Sequence, residues 1–185
     1  MLLKNNRMKY FLLIVLHFTI FSCKEETPTL QKYMVEKTES PSFITLDVAP
    51  SIINTKSVKL SSEEEIALKS FEKVNILALK NTKENQMVYE TEINNIENIL
   101  KNKDYQELLK VGKGKDKAAL YFTGSTDAIE EFILFANKKE NGFAVVRILG
   151  DKMNPKNALQ ILSALEKADI NTDQFKPLQE IFIEN

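Results

Sequence analysis

Residues 131–150 read EFILFANKKENGFAVVRILG, and how this stretch is parsed decides the fold. Two apolar runs, Glu131–Ala136 and Gly142–Leu149, flank the polar segment Lys138–Asn141, which Gly142 closes. Runs of this length, rich in β-branched and aromatic residues and separated by a turn signal, predict two antiparallel strands in a hairpin. The second strand is expected to end at Gly150. Arg147 interrupts it, and strand alternation sets Arg147 on the face of Phe143, Val145 and Leu149.

The same grammar extends outward in both directions. Upstream, Tyr105–Val111 and Lys117–Thr123 are strands joined through Gly112-Lys113-Gly114. Before them, residues 83–102 form the longest helix, with Tyr89, Ile93, Ile96 and Leu100 at helical spacing on its buried side. Ser61 and Ser62 each stand three residues before a glutamate, Glu64 and Glu65, the pattern of a capping box. The helix opened there carries the stripe Ala67, Leu68, Phe71 and Val74 and leads into an interior strand at Val74–Leu79. Phe43–Val48 is a strand and Leu30–Lys37 a short helix. Downstream, Asn154 caps a helix with Pro155 in its first position, burying Ala158, Ile161, Leu162, Leu165 and Ala168. An apolar tail, Leu178, Ile181, Phe182 and Ile183, is expected to dock on the body. The expected fold is α+β: one domain, a largely antiparallel sheet of about five to six strands, helices packed mainly on one face.

Residues 1–22 read as a leader. Lys4, Arg7 and Lys9 precede the apolar run Tyr10–Phe21, which is too short to span a bilayer as a helix. Ile20-Phe21-Ser22-Cys23 then resembles the lipobox of bacterial lipoproteins, in which the cysteine thiol receives diacylglycerol before cleavage. The alternative is an uncleaved apolar segment with an incidental cysteine. Lys24, Glu25 and Glu26 resemble the export signal that sends lipoproteins of Bacteroidetes to the outer face of the outer membrane; the alternative is a plain hydrophilic tether. The expected organisation is a leader over 1–22, a lipidated tether over 23–29 and one globular domain over 30–185.

Composition removes whole classes of chemistry. His17 is the single histidine and Cys23 the single cysteine, and there is no tryptophan. Once the leader is cleaved and Cys23 acylated, the remaining 163 residues hold no imidazole and no free thiol. Serine–histidine and cysteine–histidine catalysis, and zinc, copper or iron–sulfur sites built on those ligands, are then excluded, and no cofactor is expected. Without the three basic residues of the leader, 22 basic side chains face 26 acidic ones, a net of −4, which argues against nucleic acid as a partner. The expected partners are the lipid bilayer, through acylated Cys23, and another envelope protein.

LQKYMVEK (30–37), SPSFITLDVAPSIIN (40–54), SFEKVNILALK (70–80), YQELLKVG (105–112) and AIEEFILFANKKENGFAVVRILGDKMNP (128–155) resemble the Bacteroidetes lipoproteins grouped as domain of unknown function 4252. The resemblance covers most of the body. It implies a cell-envelope lipoprotein with a compact domain, and it brings no activity and no catalytic residue.

Three local signals are candidates for a site. Asp169, Asn171, Asp173 and Glu180 occupy the oxygen-ligand positions of a calcium loop. Gln174 stands where that loop needs glycine, so a solvated connection is the competing reading. Lys110, Lys113, Lys115 and Lys117 surround two glycines without the spacing of a phosphate-binding loop, and read as a hairpin tip that resists edge pairing. Arg147 is either a ligand-orienting cation or an arginine on the open sheet face paired with Asp151 or Glu131. An exposed pair of that kind is worth about 1 kcal/mol or less. Glu130 and Glu131 point to opposite faces of a strand and cannot form the facing acids of a glycosidase. Three functions remain open: a non-enzymatic envelope binding or interaction module, a carboxylate-dependent hydrolase, and an accessory of envelope stress or regulation.

Overall fold

The structure is a computed structural model and describes residues 28–49, 53–54, 58–167, 169–170 and 176. Its centre is an antiparallel sheet of six strands: β1 (Ile44–Val48), β3 (Phe71–Lys80), β4 (Gln106–Lys113), β5 (Asp116–Ser125), β6 (Ala128–Lys138) and β7 (Gly142–Met153). A separate two-residue ladder pairs β2 (Ile53–Asn54) with β8 (Asp169–Ile170). The large sheet runs β1-β3-β7-β6-β5-β4, so the last four of its strands follow one another as hairpins and β3 fits between β1 and β7. Four helices complete the described residues: α1 (Leu30–Lys37), α2 (Ser62–Ser70), α3 (Gln86–Leu100) and α4 (Pro155–Lys167). The α+β class and the six-stranded antiparallel sheet agree with the sequence reading.

The four helices are shared between the two faces of the sheet, and α1 and α3 cover the first. There α1 and α3 pack Leu30, Tyr33, Met34, Tyr89, Ile93, Ile96 and Leu100 onto Leu77, Leu79, Ile133, Phe135, Phe143 and Val145. Each such aliphatic or aromatic side chain removed from water contributes about 1.5–3 kcal/mol before chain entropy is counted. The second pair, α2 and α4, sits against the opposite face at one end, where Ala67 and Ile161 meet Phe71, Val74 and Ile148. Beside them Met153 and Ile129 close over Phe122 and Phe132.

Several boundaries differ from the sequence reading, and at two of them the cause is plain. Phe71 and Val74 belong to β3 and not to the stripe of α2, because the chain turns extended at Phe71 (φ −87°, ψ 126°) with no intervening loop. Helix and strand thus share one apolar run, and periodicity alone cannot divide it. Nor does β7 stop at Gly150: it continues to Met153, which pairs with Ile129 across an irregularity in the ladder. Of the two capping serines, Ser61 is the N-cap, its hydroxyl accepting from Glu64 N while Glu64 Oε2 accepts from Ser61 N. Asn154 caps α4 as expected, its side-chain oxygen accepting from Lys156 N and Asn157 N. The apolar tail at 178–183 lies outside the described residues.

Candidate functional site

Sheet register explains why polar groups gather near one end of the face that α1 and α3 cover. One cross-strand row runs Asp47, Asn75, Arg147, Ile133, Tyr121 and Glu107. A second row, one pleat further on, carries Lys73, Leu149 and Glu131. Glu131 is therefore the diagonal neighbour of Arg147, within reach of a long side chain. The two pair through a single carboxylate oxygen: Arg147 Nε donates to Glu131 Oε2 at 2.8 Å and Nη2 lies 2.6 Å from the same atom. Both residues are buried. This corrects the expectation of an arginine on the open sheet face. Helix α1 roofs the position, because its first turn is held down on the sheet.

That anchorage is specific. Leu30 N, one of the donors left over at a helix start, is answered by the hydroxyl of Tyr105 at 2.9 Å, and the Thr29 side chain accepts from Lys32 N. Burial raises the Tyr105 pKa, keeping the hydroxyl neutral beside the Arg147–Glu131 pair. Between α1, β1, β3 and β7 a cavity of about 250 Å³ remains. Gln31, Asp47, Lys73, Asn75 and Arg147 give it polar walls, and Met34, Leu77 and Leu149 are apolar. Asp47 is bonded by Lys73 Nζ at 2.8 Å and by the Asn75 amide. The bond from Lys73 chiefly holds the Asp47 carboxyl below its usual range, against the opposing effect of burial.

A second network joins α1 to α3 and was missed in the sequence. Glu92 is buried and takes three donors: Tyr33 Oη at 2.7 Å, Lys37 Nζ at 2.5 Å and Asn95 Nδ2 at 3.1 Å. Burial alone would push the Glu92 carboxyl up, but the bonds from Lys37, Tyr33 and Asn95 outweigh it and leave it lowered. Burial first, and then the bond to Glu92, drives the Tyr33 hydroxyl far above its ordinary value. The signal was available: Glu92 falls one residue before Ile93, on the stripe that Tyr89 and Ile96 define. A carboxylate on a buried stripe requires partners. Beside this network a larger, more open cleft of about 440 Å³ is lined by Asn95, Asn98 and Asn102 of or just beyond α3 and by Glu36 and Lys37.

The remaining candidates fall as follows. Lys115 reaches Glu90, and Lys117 bonds Glu97 at 2.8 Å, so part of the lysine cluster fastens the β4–β5 hairpin to α3. Cys23, Lys24, Glu25, Glu26, Asn171, Asp173 and Glu180 lie outside the described residues, and Asp169 is described only as backbone pairing with Asn54. Among the described residues, no group of three His, Cys, Asp or Glu side chains could hold a metal ion. Among them too, no helix is long and apolar enough to cross a membrane.

An open six-stranded antiparallel sheet with four helices, and a half-roofed polar cavity beside a buried arginine, defines an α+β domain. Residues 33–161 match the family model described as Domain of unknown function (DUF4252), and the chain belongs to that family. No curated protein and no solved structure matches it. The matched span holds Arg147, Glu131, Asp47, Lys73 and Asn75, and also Tyr33 and Glu92.

Proposed function

We propose that this chain is a lipid-anchored lipoprotein of the cell envelope whose body binds a ligand or partner without transforming it. The observation that carries the binding reading is the Arg147 cavity. Polar side chains line open space beside the guanidinium, room that the Arg147–Glu131 pair does not itself fill. Among the described residues the cavity wall holds one carboxylate, Asp47, already engaged by Lys73, where acid–base hydrolysis needs two acids in separate protonation states. Anchoring rests on the leader and on Ile20-Phe21-Ser22-Cys23. Leu30, fixed to the body by Tyr105, stands seven residues after Cys23, and seven residues span at most about 25 Å. The body would therefore work close to the bilayer.

Fractionation tests the anchor. Wild-type protein should sediment with membranes and carry the mass of an acylated cysteine, and Cys23→Ala should lose both. Wild-type protein without lipid mass would end this reading. Surface display is tested separately, by adding protease to intact cells: the body should be digested, and replacing Lys24, Glu25 and Glu26 with alanine should protect it. Full protection of the wild type would place the body inside.

A further inference from the structure

We infer that the apolar tail at 178–183 docks on the second face of the sheet, over Ile76, Ala78, Ala144 and Val146. Leu77, Leu79, Phe143 and Val145 pack under α1 and α3, so strand alternation turns Ile76, Ala78, Ala144 and Val146 the other way. Register extends these four into two cross-strand rows without a polar side chain. One row runs from Leu46 through Ile76, Val146, Leu134 and Leu120 to Leu109. The other crosses from Ile44 to Val111 over four alanines. Among the described side chains, α2 and α4 meet this face only at its Phe71, Val74 and Ile148 end. An apolar sheet face of this extent calls for a cover.

Burial is uneven across the face. Ala78 has no exposed surface and Ile76 and Ala144 are 8% exposed, yet among the described residues the cluster of Ala78, Ala144 and Ile44 holds no helical side chain. Further across, Leu134, Leu109 and Val111 stay 42%, 58% and 53% exposed. The cover therefore belongs over β3 and β7. The tail fits there on reach and on charge. β8 ends at Ile170 and pairs with β2, whose Ile53 stands five residues after the end of β1. Ile181 follows Ile170 by eleven residues, at most about 40 Å of chain, and β7 lies two strand spacings, about 10 Å, from β1. Glu180 and Glu184 beside the apolar residues are opposite in sign to Lys80 and Lys138, which follow Ala78 and Ala136 by two residues on this face. A second copy is the poorer occupant, because three half-exposed side chains fall far short of the about 800 Å² that a stable dimer covers on each partner. A tethered segment needs no such area, since its own chain holds it at high effective concentration.

Photocrosslinking tests the face and the occupant together. In the full-length chain in detergent micelles, p-benzoylphenylalanine in place of Phe182 should crosslink within the chain, to the peptides that hold Ile76 and Ala78 or Ala144 and Val146. Ile181→Asp in the same protein should cut that yield about fivefold or more, by setting a carboxylate against apolar side chains. An equal mixture of ordinary and ¹⁵N-labelled chains separates the occupants, because a crosslink between two copies joins peptides of different label. Mixed-label crosslinks would assign the face to a second copy and overturn the inference. Crosslinks to α1, α3 or the leader, no crosslink at all, or a yield that Ile181→Asp leaves unchanged would overturn it as well. Membrane fractionation is unaffected by any of these results, so the anchor stands or falls on its own measurement.

Discussion

The hydroxyl of Tyr33 donates to Glu92 Oε2 at 2.7 Å, joining α1 to α3 across a buried seam 59 residues apart in sequence. Because the acceptor is a buried carboxylate, the bond belongs to the stronger class, worth about 1.5–3 kcal/mol. Tyr33→Phe keeps the ring in the core and removes only this donor. Lys37 and Asn95 still hold Glu92, so the expected loss is near the lower end, about 1.5 kcal/mol, read from urea unfolding with an unchanged slope. An unaltered midpoint would show that Glu92 does not need Tyr33.

Glu64 makes the corresponding joint between α2 and α4. It accepts from Ser61 N, from Ser163 Oγ at 2.7 Å and from Lys167 Nζ at 2.5 Å, and these bonds, Lys167 foremost, lower its pKa from 4.5 to about 2. A carboxyl lowered by folding stabilises the folded state fully above its unfolded pKa and loses that contribution as pH falls toward the folded value. Stability should therefore decline between about pH 4.5 and about pH 2. Glu64→Gln should flatten the decline in part, since Glu92 and Asp47 are lowered as well. Unfolding midpoints of both proteins across that range decide it, and parallel curves would remove Glu64 from the account.

Gly142 is required for a reason that sequence shows only as a turn. Its φ is +130°, and a Cβ there would stand 2.0 Å from Leu79 O on the neighbouring strand. Gly142→Ala should cost at least about 3 kcal/mol, by strain and by opening the β3–β7 ladder. At Gly114, φ +60° in the β4–β5 turn, a Cβ would meet nothing within 4 Å, so Gly114→Ala should cost about 1 kcal/mol. Melting the two variants side by side checks the contrast, and equal losses would mean that the contact with Leu79 relaxes.

What could be read from sequence follows from how local its causes are. The hairpins at Gly114 and Gly142, the Asn154 cap, a cap at Ser61 or Ser62 and the α3 stripe depend on residues a few positions apart, and the sequence shows each of them. The division of the run through Phe71 was not legible, because burial on the sheet, not period, sets where α2 yields to β3. The site divides in the same way. Alternation put Arg147 on the correct strand face and named Glu131 as a partner, but the roof came from a contact between Leu30 and Tyr105, 75 residues apart, that no pattern within either segment announces.

That roof changes what removing Arg147 should do. On an open face, Arg147→Met would cost about 1 kcal/mol or less. Beneath α1 the substitution leaves Glu131 buried without its cation, and losing one partner of a buried pair costs about 3–5 kcal/mol. The cavity admits some water, which favours the lower figure, so the expected loss for Arg147→Met is about 3 kcal/mol. Adding Glu131→Leu should restore most of it, because an apolar pair of similar volume avoids desolvating either charge. The sign of the second step is the informative part: recovery identifies an orphaned carboxylate as the source of the loss. A double variant weaker than Arg147→Met alone would show instead that Glu131 holds the sheet through contacts of its own.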